Sequence, residues 1–566
     1  MKNKFWIFLI ITCLIGVMFF NSAVRAEDFW QIVRSGSPEE VRSAIEAGAN
    51  VNKEDSQGRT PLMIAAGYNR DAWVAEILLN NGAIMEARDN RGRTPLYYAV
   101  KHNSNEQVLR FFIRRGAAVN ITTDYGFTPL FRAAGDNAVG KVDILLNSGA
   151  RVDQRGPEGR TPLIEILKHD PSRSTVRRFL NAGASPTARD DRGRTPVHIA
   201  AERGQKDLLE IFSNRTAIVG LRDNQQITPF MLAAAHNNNT DVLKFLLDRD
   251  ADIEARDRND KTPLLWAAAE NDSMRVLEFL LEEGADMSAV DGNDRGVFHH
   301  AVASGRKSYD KIQLFVRFND QDINRRDREG NTPLHLAINQ RTLRYELIEL
   351  LLEAGADPNL EDSAGRTPLM QMAADNRSSR FFSLLLQKGA DVNLSGRRGI
   401  TPLMLAARNT DSEEVIFTLL DAGAEVDISD NRGRRVVDYL DENRNLLDTD
   451  AYWELQYMEP EERKLDKLEL KSPVQGTVRS LAIPSLGHAY ADSWWPKGAM
   501  FLAGEAATLG LALTREDSSS AVPFYLAFAA LKALEVYDVN REISSFNEMA
   551  EGYNQRVEEF NRRFQD

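Results

Sequence analysis

The sequence predicts an all-α repeat solenoid: a stack of helix-turn-helix repeats with β-hairpin tips, followed by a helical region of different composition at the carboxyl terminus. Three periodic features predict it. Thr-Pro recurs at Thr60, Thr94, Thr128, Thr161, Thr195, Thr228, Thr262, Thr332, Thr367 and Thr401, at intervals of 33 to 36 residues once a degenerate copy at Gly296-Val297 is placed in the one 70-residue gap. Paired small residues follow, among them Ala65-Ala66, Ala133-Ala134, Ala233-Ala234, Ala267-Ala268 and Ala406-Ala407. Beyond them, leucine-rich stretches such as "VLEFLLEEGA" and "LIELLLEAGA" end in Gly-Ala. Self-similarity at this period marks a stacked array, and a chain of 566 residues is too long for one ordinary core.

Residues 1–26 open on a basic start, run apolar from Phe5 to Phe20 and reach Val24-Arg25-Ala26, with small residues at the two positions a signal peptidase reads. A cleaved secretory signal is expected there. An uncleaved anchor is the alternative, although the stretch is short of the ~20 residues a span needs. Residues 27–445 are expected to form the solenoid, about twelve repeats behind an amino-terminal cap. The cap is "FWQIVRSGSPEEVRSAIEAGANVN", the second half of a repeat without its Thr-Pro half.

Each repeat explains itself physically. Thr offers a hydroxyl to the free N–H groups of a helix start, and Pro at the first helical position has the right φ and no N–H to leave unpaired. Small residues let one short helix lie close against the next. The second helix carries leucines three and four apart, one apolar stripe, and the glycine after it is the left-handed stop. Asp five residues before the Thr and Gly two before it, each in nine of twelve repeats, are turn residues. Thr216, Asp250 and Asp320 replace the stop glycine, and Arg435-Val436 is a decayed twelfth copy.

A charged linker is expected over 446–471 and a separate region over 472–566. There Tyr490, Trp494 and Trp495 precede a small-residue apolar run from Gly498 to Leu513, and a polar turn leads into "AVPFYLAFAALKAL". Two apolar helices over 496–534 fit a membrane hairpin, with Ala499, Ala503, Ala506 and Gly510 permitting close contact. Glu505 and Lys532 are costly in lipid, which keeps a soluble helical subdomain as the alternative. Apolar residues at Val536, Val539, Ile543, Phe546, Ala550, Tyr553, Val557, Phe560 and Phe564 then step by three and four. That is a heptad seam, suited to a homodimer through 536–564 or to packing on the hairpin.

Ten Thr-Pro sites in phase with their alanine pairs, leucine stripes and stop glycines make the chain resemble a bacterial, exported ankyrin-repeat protein over residues 29 to 440. The resemblance implies helix pairs with hairpins projecting from them, and a protein partner held by hairpin tips and the inner helix face. More weakly, "IPSLGHAYADSWWPKGA" is similar to a small bacterial membrane-associated domain of unknown function, from which Ser485 and His488 depart.

Chemistry is sparse. A net charge of -13 and a pI near 5.4 argue against nucleic acid, which needs a basic face. Cys13 is the sole cysteine and lies inside the expected signal, so the mature chain has no thiol for catalysis, disulfide or metal. His198 and His335 follow Thr-Pro where a histidine bonds structurally in the resembled family. His299 and His300 point apart on a helix, and "DGNDRG" at Asp291 lacks the last acidic ligand of a calcium loop. No phosphate loop or nucleophile elbow appears, so no catalytic, cofactor or metal site is expected. Arg59, Arg93, Arg160, Arg194, Lys261, Arg295, Arg366 and Arg434 precede the Thr, and Asp four residues earlier in most of these turns makes each turn neutralise itself. Tips vary while the scaffold repeats, which nominates Arg91, Tyr125, Arg192, Asn224, Arg258, Arg328 and Asn431 as partner contacts, with Tyr125 the sole aromatic anchor.

The expected function is a non-enzymatic protein-protein interaction scaffold, exported to the periplasm or cell envelope and tethered near a membrane. The alternatives are a membrane-inserted carboxyl-terminal domain with the solenoid as spacer, or an effector or toxin activity in 472–566.

Overall fold

A computed structural model describes residues 26–457 apart from 306, 319–320 and 448. The expected signal up to residue 25, the membrane hairpin over 496–534 and the seam over 536–564 lie outside the described residues. Contacts divide the chain into two compact units, one running to residue 371 with 387–390 and the other taking 372–386 and the residues from 391 onward.

In the first unit, helices Ala26–Ser35 and Pro38–Glu46 form the amino-terminal cap, with Phe29, Val33, Val41 and Ala44 buried. Ser37 and Glu40 close a capping box at the second of these helices, Glu40 Oε2 accepting the Ser37 N–H at 2.7 Å. Helix pairs follow at the predicted period, for example Pro229–His236 with Asp241–Leu247 and Pro263–Glu270 with Met274–Glu282. First helices start on their Thr, except Val297–Ala303 after Gly296 and Val436–Leu440 after Arg435. The Thr128 hydroxyl accepts the Phe131 N–H at 3.0 Å, and Thr228 accepts Met231 N–H at 3.2 Å. First helices are buried nearly throughout: Ala233, Ala234, Ala267 and Ala268 are wholly inaccessible, because only so small a side chain fits between neighbouring helices. Second helices bury one stripe, as Val276, Leu277 and Leu280 do, at roughly 1.5–3 kcal/mol per large side chain. Where Asp250 replaces the stop glycine it still takes a left-handed φ of 64°.

A second periodic device ties repeat to repeat. The Asn nine residues after the Thr reaches back to carbonyls of the previous repeat. Asn103 Nδ2 donates to Ala66 O and Asn69 O at 2.9 and 2.6 Å, and Asn271 Nδ2 to Ala234 O and Asn237 O, both at 2.7 Å. In two repeats, where Asn137 and Gly305 hold that position, a lysine of the second helix reaches back instead. Lys311, fully buried, donates to Ala268 O at 2.8 Å and Ser304 Oγ at 3.2 Å, and Lys141 reaches the Ala99 and Val100 carbonyls.

In the second unit, Pro402–Asn409 packs on Val436–Leu440, and Asn443 Nδ2 bonds Ala407 O and Thr410 O at 2.9 and 2.7 Å. Within the stretch expected as a charged linker over 446–471, the described residues hold a helix, Asp450–Tyr457, whose Ala451 and Leu455 are buried with Leu446 against the end of the array. One expectation needs correction. The tips are turns rather than β-hairpins, since no strand occurs among the described residues. Besides the tight Gly92 N–H to Asp89 O bond at the tip, a single bond such as Asp89 N–H to Arg93 O at 3.1 Å joins the two arms of a turn, too few rungs for a strand.

Candidate interaction surface

The turn aspartate organises nine of the twelve hairpins. Asp89 Oδ1 accepts the N–H groups of Arg91 and Arg93 at 2.9 and 2.8 Å, while Oδ2 accepts Arg93 Nε at 2.6 Å and the Tyr98 hydroxyl at 2.8 Å. Burial pushes this carboxyl up, but the four bonds outweigh it and hold the group below the ordinary range. Trp266, His300 and Tyr439 repeat the Tyr98 contact on Asp257, Asp291 and Asp430 at 3.1, 3.1 and 2.7 Å. For Asp291, burial is again outweighed, by His300 and the Arg295 and Asn293 N–H groups, leaving it at about 2.

Glycine before the Thr serves the next turn as well as its own. Gly193 has φ +78°, and a Cβ there would lie 2.4 Å from Asn224 Oδ1. Gln226, Asp260 and Asp294, which replace this glycine, still adopt φ near +60°. The fold imposes the left-handed turn even where the sequence does not favour it.

Tips join their neighbours through one backbone bond per repeat. The first tip residue donates to the second tip residue of the preceding hairpin: Asn90 to Gln57, Asp124 to Arg91, Asn224 to Arg192, Arg258 to Gln225 and Arg328 to Asn293, at 2.8–3.1 Å. The rail breaks once within the first unit. Pro157 has no N–H, so the Tyr125 carbonyl receives no tip donor among the described residues.

All seven nominated tip residues are exposed, Tyr125 most conspicuously at 67%. They are not equivalent. The side chains of Arg91, Tyr125, Arg192 and Arg258 make no bond among the described residues, whereas Arg328 Nε lies 3.5 Å from Asp294 Oδ2. Asn224 Nδ2 donates to Asp191 O at 2.9 Å and Asn431 Nδ2 to Arg397 O at 3.2 Å, so both amides are spent on the rail.

The histidines bond structurally. His198 Nδ1 meets the Thr195 N–H and hydroxyl at 3.2 and 2.9 Å, and Nε2 reaches Ile227 O of the next repeat at 3.1 Å; His335 repeats this on Thr332 and Arg366 O. Burial pulls His198 down to about 4, which leaves it neutral. His299 Nε2 faces Asn331 O while His300 faces Asp291, so the adjacent pair diverges. The basic residue before the Thr pairs with its own turn at Arg59–Asp55, Arg93–Asp89, Arg366–Asp362 and Arg434–Asp430. Arg295 instead crosses to Asp327 of the next repeat at 3.0 Å.

One row escaped the sequence reading although its period was legible: arginine six residues before the Thr, at Arg88, Arg155, Arg189, Arg222, Arg256 and Arg326. Arg189 Nη1 donates to Gly193 O of its own turn and to Arg222 O of the next, at 3.1 and 2.8 Å. Arg222 bonds Gln226 O and Arg256 O in the same way, and Arg256 bonds Asp260 O and Val290 O. Asn staples eight residues before the Thr, such as Asn52 to Gly82 O, are replaced in this stretch by Thr187 and Gly220. A shallow cavity of about 390 Å³ lined by Leu180, Pro186, Thr187, Arg215 and Thr216 opens where Thr187 stands.

Capped helix pairs, a rail of tips and projecting side chains with no intramolecular use define a repeat scaffold built for surface rather than for an enclosed site. Residues 29–123, 100–190, 168–257, 216–291, 264–362 and 341–430 each match the family described as ankyrin repeats in three copies, and the chain belongs to that family. Ankyrin repeats are protein-protein interaction modules, and that is the class of activity the family assigns. An ankyrin repeat-containing protein of Schizosaccharomyces pombe is 38% identical over 72 residues, 13% of this chain and 35% of its own length. An ankyrin repeat protein of Rickettsia felis is 37% identical over 74 residues, 12% of this chain and 33% of its own. Mouse Rabankyrin-5 is 32% identical over 88 residues, 15% and 7% respectively. The chain spans about a third or less of the length of these relatives, so the likeness is one of repeats. Among the described residues no helix is long and apolar enough to cross a membrane.

Proposed function

We propose that this chain is a non-enzymatic scaffold that captures a protein partner on its hairpin tips, with Arg91, Tyr125, Arg192 and Arg258 as anchors and Arg328 beside them. The observation that carries the reading is the division of labour at the tips. Backbone, turn aspartates and the Asn224 and Asn431 amides hold the rail, while the side chains of Arg91, Tyr125, Arg192 and Arg258 project into solvent without a partner among the described residues. A rigid frame lowers the ordering cost of binding, and an exposed tyrosine with arginines is the composition of interface hot spots.

Export and tethering complete the proposal: residues 1–26 act as the signal, the solenoid works in the periplasm or cell envelope, and 496–534 hold it at a membrane. The basic, apolar and small-residue order of the first segment and the small-residue apolar runs of the second support this. Self-association through 536–564 rests on the heptad seam. The test combines crosslinked capture by the full chain with a Tyr125→Ser, Arg91→Ser, Arg192→Ser variant. Partner yield is expected to fall while far-ultraviolet circular dichroism stays unchanged; equal yield removes the tips as the binding surface. Carbonate-washed membranes retain the chain if 496–534 anchors it and release it if they do not.

A further inference from the structure

We infer that the guanidinium row of Arg189, Arg222 and Arg256 is a reader for an extended acidic protein segment. The inference rests on the scaffold reading and names the chemistry of one partner element.

The row is fixed before any ligand arrives. In each residue Nη1 spans two turns, bonding a carbonyl of its own hairpin and one of the next at 2.8–3.3 Å, so the three forks share one orientation. Their remaining donors, Nη2 and Nε, have no hydrogen-bond partner among the described residues, and no carboxylate of those residues stands within ion-pair distance of any of the three. The contrast with neighbours in the same register is direct. Arg155 is bonded to its own turn at Gly159 O and is also closed by Asp191 at 2.7 Å. Acidic side chains beside the row in sequence are already engaged; burial pushes the Glu254 carboxyl up, against the Asp286 N–H and the charge of Arg256, which pull it down. Asp190 Oδ1 accepts the Arg192 and Arg194 N–H groups, Asp223 Oδ1 those of Gln225 and Ile227, Asp257 Oδ1 those of Asn259 and Lys261, and Glu254 Oε1 the Asp286 N–H. Three like charges are thus held in parallel in the free protein, and a planar fork with two donors open is the geometry that receives a carboxylate.

Spacing selects the occupant. Packed helices, and with them successive repeats, stand ~8–10 Å apart, while a segment in the extended polyproline II conformation has three residues per turn and advances ~3.1 Å per residue, placing every third side chain on one face ~9 Å from the last. A carboxylate at every third residue therefore meets one arginine per repeat. Nucleic acid could meet a repeat interval of this size, but the chain's net charge of -13 opposes a polyanion, and oligothymidylate serves as the competitor that tests it.

The experiment uses the full chain and a fluorescein-labelled peptide with Glu at every third residue among Ser and Gly, read by anisotropy. Two competitors are unlabelled: a peptide of the same composition with its Glu in one block, and oligothymidylate. Expected is binding of the spaced peptide that weakens with salt and falls roughly tenfold or more in Arg189→Gln, Arg222→Gln, Arg256→Gln, three rim contacts each contributing up to about fivefold. The Lys triple variant keeps the charge, loses the spanning fork and binds more weakly than the native chain. Should the Gln triple variant melt early, Arg222→Gln alone serves, with a fall of about threefold expected. Undiminished affinity in a folded variant overturns the inference, as does equal or better competition by the block peptide or by oligothymidylate. The Tyr125 triple variant is measured beside them. If it loses protein capture while the arginine variants bind peptide as the native chain does, the row is overturned and the scaffold reading stands; if it keeps capture, the tip reading fails independently.

Discussion

Removing one amide should uncouple two repeats. Asn271 is 2% exposed, and its side chain makes three bonds: Nδ2 to Ala234 O and Asn237 O, both 2.7 Å, and Oδ1 from the Ser273 N–H at 2.8 Å. Asn271→Ala strands two carbonyls in the buried seam and one half-buried N–H. Each stranded buried group costs roughly 1–3 kcal/mol, moderated where water can enter, so a loss of about 3 kcal/mol is expected. Asn224→Ala is the control: that amide makes one solvent-exposed bond, to Asp191 O, and its loss is worth about 0.5–1 kcal/mol. Because a repeat array need not unfold in one step, the assay pairs urea denaturation of the full chain with hydrogen exchange resolved to peptides. Asn271→Ala should lower the urea midpoint and speed exchange in Pro229–His236 and Pro263–Glu270, with distant repeats unaffected, as nearest-neighbour coupling requires. Equal midpoints for the two variants, or exchange that rises uniformly along the chain, would refute the staple argument.

Acid should loosen the array through its histidines. His198 sits at about 4 in the fold against an ordinary 6.5, so the unfolded chain binds more protons between those values. Stability is therefore full above pH about 6.5 and is lost as pH falls toward about 4. Burial also lowers His299 and His335, which add to the slope. Urea midpoints from pH 7.5 to 4.5 should decline, and His198→Gln should flatten the decline; identical slopes would exclude His198 as a contributor. At the other end, Leu455→Ala empties a fully buried site on the terminal helix and should cost about 2–4 kcal/mol. Exchange protection over Asp450–Tyr457 and Val436–Leu440 is then expected to drop, and unchanged protection would mean that this helix does not cap the array.

Legibility in the sequence followed from periodicity. Thr caps, Pro at the first helical position, alanine pairs and stop glycines each act within a few residues of themselves, so a single strand of letters carries them. The structural role of His198 and His335 and the self-pairing of Arg59, Arg93, Arg366 and Arg434 were legible on the same ground. Seven tip positions were legible as places, but not as roles. Nothing local tells that the Asn224 and Asn431 amides turn back onto neighbouring hairpins 33 and 34 residues away while Arg91 and Tyr125 project.

By itself, then, the sequence determined the repeat, its period and the local turns and caps, because those are set by short-range sterics and hydrogen bonds. Only the tertiary structure decided what lies between repeats. It fixed the tip rail with its break at Pro157, the lysine of residue 311 standing in for a missing asparagine, the closure of the array by Leu455, and the arginines of 189, 222 and 256 tied to the next turn. Each of these depends on which groups some thirty to forty residues apart come into hydrogen-bonding or van der Waals contact, and stacking alone brings them together.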